Sequence, residues 1–272
     1  MKLCLSSQSL DRKFFSKEMH LFSFIQYAYK QGFRVIELED KHLESTEKAY
    51  LDKVRNYMGK YGITCANIAF DNSFGYPSTE KNFAEVERAR TWMDVALELG
   101  TPNFRLFAGW MGGLDPGLGT KGPTVQKQAS AWDEMVLCMQ KGCAIAKEKG
   151  LHVVIENHNH GGFLSSSFDV INLFAQLDKN VASLLLDTGN YIDNMEGIER
   201  TVDMATRHIH LKLNTIVGDG SDSVYDLPAI IDLIIKAGFT GSLSLEYEGV
   251  QEEYDVLPKV TRFVNDLINN RT

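Results

Sequence analysis

The chain has 272 residues, enough for one α/β barrel, which commonly uses about 250 residues, or for two smaller domains. Its composition is 44% hydrophobic and 24% charged, with 22 Gly and 6 Pro, which excludes disordered, collagen-like and disulfide-scaffold chains. The 28 Lys+Arg against 36 Asp+Glu give a charge of −8, and no dense basic run offsets it, so non-specific attraction to a phosphate backbone is excluded as well.

The predicted elements alternate along the chain. An apolar strand over Lys2 to Ser6 is followed by a helix over Ser16 to Gln31, and Gly32 leads into a strand over Arg34 to Glu39. A helix over Glu47 to Tyr61 closes at Gly62 before a strand over Thr64 to Phe70. The next helix, Ser78 to Leu99, carries apolar residues at 3.6-residue spacing (Phe83, Val86, Trp92, Val95, Leu99) and closes at Gly100 before a strand over Asn103 to Phe107. Val125 to Lys149 reads as a helix closing at Gly150, with a strand over His152 to Asn157 behind it. A helix over Ser167 to Leu177 precedes a strand over Ser183 to Asp187, and a strand over His208 to Leu213 follows. The last pair is a helix over Leu227 to Ala237, closed by Gly238, and a strand over Leu243 to Glu246.

The recurring glycine has a physical basis, because a helix ends most easily on Gly in the left-handed conformation and a short loop then feeds the next strand. Strict alternation implies right-handed βαβ units, and eight of them close most economically into a single (β/α)8 TIM barrel over residues 1–272. No linker-like tract divides the chain. No G-x-G-x-x-G follows a strand, so a nucleotide-binding open sheet has no support. Cys4, Cys65, Cys138 and Cys143 are scattered without C-x-x-C spacing and read as buried free thiols of a reducing compartment. The N-terminus lacks a signal-peptide pattern, and no window approaches the roughly 18 apolar residues of a membrane span, so a cytoplasmic protein without a membrane partner is expected.

In a barrel, alternate strand residues face the helices or the interior, and the inward set can turn polar near the C-terminal rim. In HIHLKL the outward set is Ile209, Leu211 and Leu213, which leaves His208, His210 and Lys212 inside, with His208 one layer below His210. In SLSLEYE the inward set is Ser242, Ser244, Glu246 and Glu248; in HVVIEN it includes Glu156, and SLLLD ends on Asp187. Four consecutive strands thus deliver Glu156, Asp187, His210 and Glu246 to one rim. Three clustered carboxylates repel and lift one another's pKa values unless a cation sits among them. One divalent metal ion is therefore expected, with Mn2+, Mg2+ or Co2+ favoured by the carboxylates and Zn2+ compatible with the imidazole.

GFRVIEL, VVIENH, LLLDTGN, HIHLK and AGFTGSLSLEYEG together resemble the xylose isomerase-like TIM-barrel superfamily, and within it the sugar phosphate isomerase/epimerase group, over nearly the whole chain. The resemblance implies that Glu156, Asp187, His210 and Glu246 bind one divalent ion and that Glu156 and Glu246 flank the substrate carbon as acid/base residues. Two positions depart from the ketose epimerases of that group. Asn190 stands where they carry a substrate-holding His, and Lys212, Asn214 and Ile216 follow the metal His where they carry an Arg. The chemistry implied is proton abstraction next to a carbonyl through an enediolate, ending in epimerisation, isomerisation or, by loss of a β-hydroxyl, dehydration.

Further substrate-binding candidates are His158, which shares parity with Glu156; Lys212, as a counter-charge to substrate or as an ion-pair partner of Glu248 or Asp187; Glu37, inward in VIELED and suited to a hydroxyl, a His or a structural salt bridge; and Trp110, in the loop after the fourth strand, with an aromatic face for sugar C–H groups. Phe74 offers a similar face, while His160 reads as loop surface. The expected partner is a small sugar or sugar derivative, with no nucleic acid; a homo-oligomer is compatible with this reading. The competing functions are a metal-dependent dehydratase or lyase on a keto-sugar or inosose, and a non-catalytic sugar-binding barrel, which would not need two opposed carboxylates.

Overall fold

Gly32, Gly62, Gly100, Gly150 and Gly238 all have positive φ, between 62° and 91°, and each lies at the junction between a helix and a strand. A Cβ at any of the five would meet nothing within 4 Å, so glycine is needed there for its backbone conformation and not for space. The structure, a computed structural model, describes residues 1–110, 129–158 and 161–271.

The strands are β1 (Lys2–Ser6), β2 (Val35–Glu39), β3 (Thr64–Ala69), β4 (Asn103–Phe107), β5 (His152–Glu156), β6 (Ala182–Asp187), β7 (His208–Leu213) and β8 (Ser242–Tyr247). They pair in parallel and in sequence order, and β8 returns to β1 to close the barrel. The (β/α)8 TIM barrel read from the sequence is the observed fold, with strand limits within a residue or two of those expected. The main apolar core includes the outward strand residues, such as Ile209, Leu211, Leu243 and Leu245, and buried residues of the surrounding helices. A separate small cluster holds Cys4, Val35 and Ala66. Polar side chains take much of the barrel interior, Glu37, Asn67, Arg105, His208 and His210 all being buried. The four cysteines are buried and unpaired.

Two helix expectations need correction. The helix expected over Ser16 to Gln31 is instead two, Asp11–Phe15 and Leu21–Lys30. Lys17 adopts a left-handed φ of 62°, which breaks the chain between them, and a capping box of His20 with Ser23 starts the second. The helix expected to run to Leu177 ends at Phe174. Residues 125–128 of the fourth expected helix lie outside the described residues, and the described part is Ala129–Lys149. The helices Asn194–Thr201 and Glu253–Asn269, the latter containing Pro258, were not among the expected elements. No helix among the described residues is long and apolar enough to cross a membrane.

Candidate metal centre and active site

The ends of β5, β6, β7 and β8 bring Glu156, Asp187, His210 and Glu246 together, each at most 3% exposed, with one candidate ligand atom per residue and all four atoms within 4.8 Å of one another. Register puts Asp187 opposite His210, and Lys212 opposite Glu246. Asn157 fastens the first two strands at this level: its side-chain amide donates to the Asp187 carbonyl at 3.0 Å, and its Oδ1 accepts from the Asp187 backbone N–H at 2.7 Å. The Gly189 N–H donates to Asp187 Oδ1 at 2.7 Å, leaving Oδ2 turned toward the cluster.

His210 Nδ1 lies 3.2 Å from Glu246 Oε1, 3.4 Å from Glu156 Oε1 and 3.8 Å from Asp187 Oδ2, yet it is aligned for a hydrogen bond with none of them. Asp187 Oδ2 likewise has no aligned hydrogen-bond donor. A buried nitrogen aimed between three carboxylate oxygens fits a cation shared by all four residues. Three hard oxygen donors and one imidazole suit Mn2+, Mg2+ or Co2+, and the set also admits Zn2+.

Two basic side chains complete the charge balance. Lys212 Nζ contacts Glu246 Oε2, and lies 2.9 Å from Asp187 Oδ2 and 3.1 Å from Glu248 Oε2. Its stem passes so close to the backbone that a Cβ on Gly189 would sit 2.5 Å from Lys212 Cγ, which explains the glycine in DTGN. Arg105, on β4, places Nη1 at 3.1 Å from Glu156 Oε2, and Nη2 at 3.2 Å from Glu39 Oε2 and 2.6 Å from Asp71 Oδ1. Burial alone would raise the pKa of Glu246, but His210 and Lys212 outweigh it and hold the group well below the usual carboxylate range. Burial also opposes ionisation of Glu156, and His210 with Arg105 reverses the effect so that its pKa is lowered. At Asp187 burial wins over Lys212 and pushes the pKa up to about 7. Asp187 is thus the carboxyl that burial leaves short of charge compensation, and an added cation would favour its ionised form.

Above the cluster is a cavity of about 230 Å³ whose walls include Glu156, Glu246, Lys212, Asn190, His158 and Trp110. Trp110 and His158 meet edge to face with ring centroids 4.7 Å apart, and Phe107 packs edge-on against His158 at 5.1 Å, making one aromatic wall. Asn190 reaches the cavity while its amide donates to the Asn157 carbonyl at 3.4 Å. Each of these residues lies on the cavity wall.

Glu37 does not. Its side chain is fully buried below the rim, it is not part of the cavity wall, and its carboxylate bonds His208 and His210; of the sequence readings, the histidine partner and the structural pairing replace the substrate hydroxyl. His208 lies beneath His210 as expected, with ring centroids 5.4 Å apart. Phe74 is completely buried in the core and contributes no face to the cavity, while His160 lies outside the described residues. Arg105, Glu39, Asp71 and Lys41 also line the cavity and were not anticipated. The same alternation rule could have found the first two, since Arg105 sits between the outward Phe104 and Leu106 of NFRLF and Glu39 shares parity with Glu37.

The sequence matches the xylose isomerase-like TIM-barrel family over residues 25–265, and the chain belongs to that family. No curated protein matches it by sequence. Among solved structures, it is similar to an L-ribulose 3-epimerase, at 13% identity and a TM-score of 0.78 over 99% of this chain and 95% of that one. It is also similar to the 3-keto-D-glucoside 4-epimerase of E. coli, at 14% identity and a TM-score of 0.74 over 98% and 99% of the two chains. A third is the probable 3-DHS dehydratase of Bacillus anthracis, at 17% identity and a TM-score of 0.72 over 97% and 99%. At these identities the likeness concerns the barrel itself.

Proposed function

We propose that the chain is a divalent-metal-dependent sugar isomerase or epimerase, folded as one domain, that removes a proton next to a carbonyl and proceeds through an enediolate. The observation that carries this reading is His210 Nδ1 set among Glu156, Asp187 and Glu246 without an aligned partner, next to a polar cavity that Glu156 and Glu246 line. The epimerases among the structural neighbours add support at the level of the fold.

A divalent ion held by Glu156, Asp187, His210 and Glu246 would act as a Lewis acid on a carbonyl and its adjacent hydroxyl, acidifying the C–H between them. Glu246 is the favoured base, since His210 and Lys212 favour its ionised form and it reaches the cavity. Glu156, across the cluster, is the candidate to return a proton from the opposite face, although Arg105 already engages its Oε2. The Lys212 ammonium offers a hydrogen bond to oxygen as negative charge develops. Trp110, Phe107 and His158 cover an apolar sugar face and keep water from the reacting carbon.

One observation favours a second reading, a dehydratase. The Lys212 ammonium, beside Glu246, is a proton donor next to the base and could protonate a departing β-hydroxyl. Both readings share the proton abstraction. Incubating Mn2+-loaded protein in D2O with a panel of aldoses, ketoses and their phosphates, then measuring mass, tests that step. Deuterium is expected at a carbon next to the carbonyl, in protein with its ion and not after chelation. No exchange with any member of the panel would contradict the reading.

A further inference from the structure

The geometry points to Glu37 as the residue that decides which nitrogen of His210 faces the metal centre. A carboxylate is acceptor-only, and three donors converge on this one. His208 Nε2 lies 2.8 Å from Glu37 Oε2, His210 Nε2 lies 2.9 Å from both oxygens, and the Asn67 amide donates to Oε1 at 3.1 Å. Asn67 reaches this level because the β2–β3 register shifts between Ile36 and Glu37, a bulge that brings Asn67 opposite Glu37. The side chains of Glu37, His208 and His210 are fully buried, so bulk solvent does not compete for these bonds.

Both imidazoles must then carry a proton on Nε2. For His210 this directs Nδ1 to the three carboxylate oxygens described above, where its lone pair is available to an ion. A histidine that ligates a metal through one nitrogen is commonly oriented by a carboxylate on the other, which fixes its tautomer and raises its basicity. Glu37 has this role only if the four-residue cluster holds an ion, as proposed above. It is a positioning residue, touching neither cavity nor ligand cluster except through His210.

Glu37→Gln keeps the shape and removes half of the accepting capacity. The new amide NH2 would confront an imidazole N–H, and one histidine would have to accept at Nε2 and move its proton to Nδ1. On His210 that proton occupies the ligand lone pair. Titrating Mn2+ alone into the metal-free protein, with free ion read by its EPR signal, is expected to show binding about 10- to 100-fold weaker in E37Q than in wild type. His208→Gln provides the comparison. It disturbs the same buried layer but keeps an amide donor for Glu37 and leaves His210 untouched, so Mn2+ affinity should remain at the wild-type level.

Equal losses in both variants would assign the effect to loosened packing and overturn the role of Glu37. Wild-type affinity in folded E37Q would overturn it as well. Wild-type protein that binds no Mn2+ would overturn the metal reading itself. Should E37Q fail to fold, the 15N spectrum of histidine-labelled wild type loaded with Zn2+ decides the matter. His210 is expected to show its proton on Nε2 and none on Nδ1, and the reverse pattern would refute the inference.

Discussion

Glu246→Gln is expected to keep its ion and lose about 100- to 10,000-fold in turnover, the usual contribution of a positioned general base. The side chain approaches His210 Nδ1 with one oxygen and Lys212 with the other, so glutamine retains a carbonyl that can ligate and loses the site that accepts a proton. Because His210 and Lys212 overcome burial to keep Glu246 ionised, the wild-type residue is ready as an acceptor near neutral pH. Solvent-deuterium exchange at the reacting carbon should fall in parallel with turnover, while Mn2+ stoichiometry stays unchanged. Near-normal exchange in this variant would move the proton transfer to another group, with His158 and Lys212 the next to test.

Arg105→Met is expected to lower stability by about 3–5 kcal/mol, since removing one partner of a buried ion pair leaves a charge without compensation. The guanidinium is 3% exposed and serves carboxylates from three places: Glu39 on β2, Asp71 after β3 and Glu156 on β5. Glu39 can respond by taking up a proton, because burial already raises its pKa against the pull of Arg105. Glu156 has no such escape without surrendering its place in the cluster. Arg105 also stacks over Phe107 at 4.1 Å, so its loss loosens the aromatic wall of the cavity. Thermal unfolding should fall by roughly 6–20 °C, at about 2–4 °C per kcal/mol for a chain of this size. A variant as stable as wild type would mean that the guanidinium is not what holds these acids together.

Much of the fold and the candidate centre could be read before the structure because both follow from short-range rules. Glycine at a helix end and alternation along a strand are local, and HIHLKL with SLSLEYE suffices to place His210, Lys212 and Glu246 on one face. What escaped depends on height and on distant partners. Parity puts Glu37 inside the barrel but cannot say that it lies below the rim, because its level is set by barrel stagger. Arg105 is a single inward base whose meaning comes from residues 66, 34 and 51 positions away. The break at Lys17 was hidden because left-handed lysine is uncommon and carries no sequence signal.

Metal stoichiometry coupled to thermal unfolding tests most directly whether Glu156, Asp187, His210 and Glu246 hold one divalent ion. Wild-type protein should bind one ion per chain and lose it to a chelator. Re-addition at about 100 times the dissociation constant should restore roughly 2.7 kcal/mol of stability. Asp187→Asn should bind more weakly while keeping the barrel intact. A chain that carries no ion, takes up none of Mn2+, Mg2+, Co2+ or Zn2+, and unfolds at the same temperature with and without chelator would contradict the account.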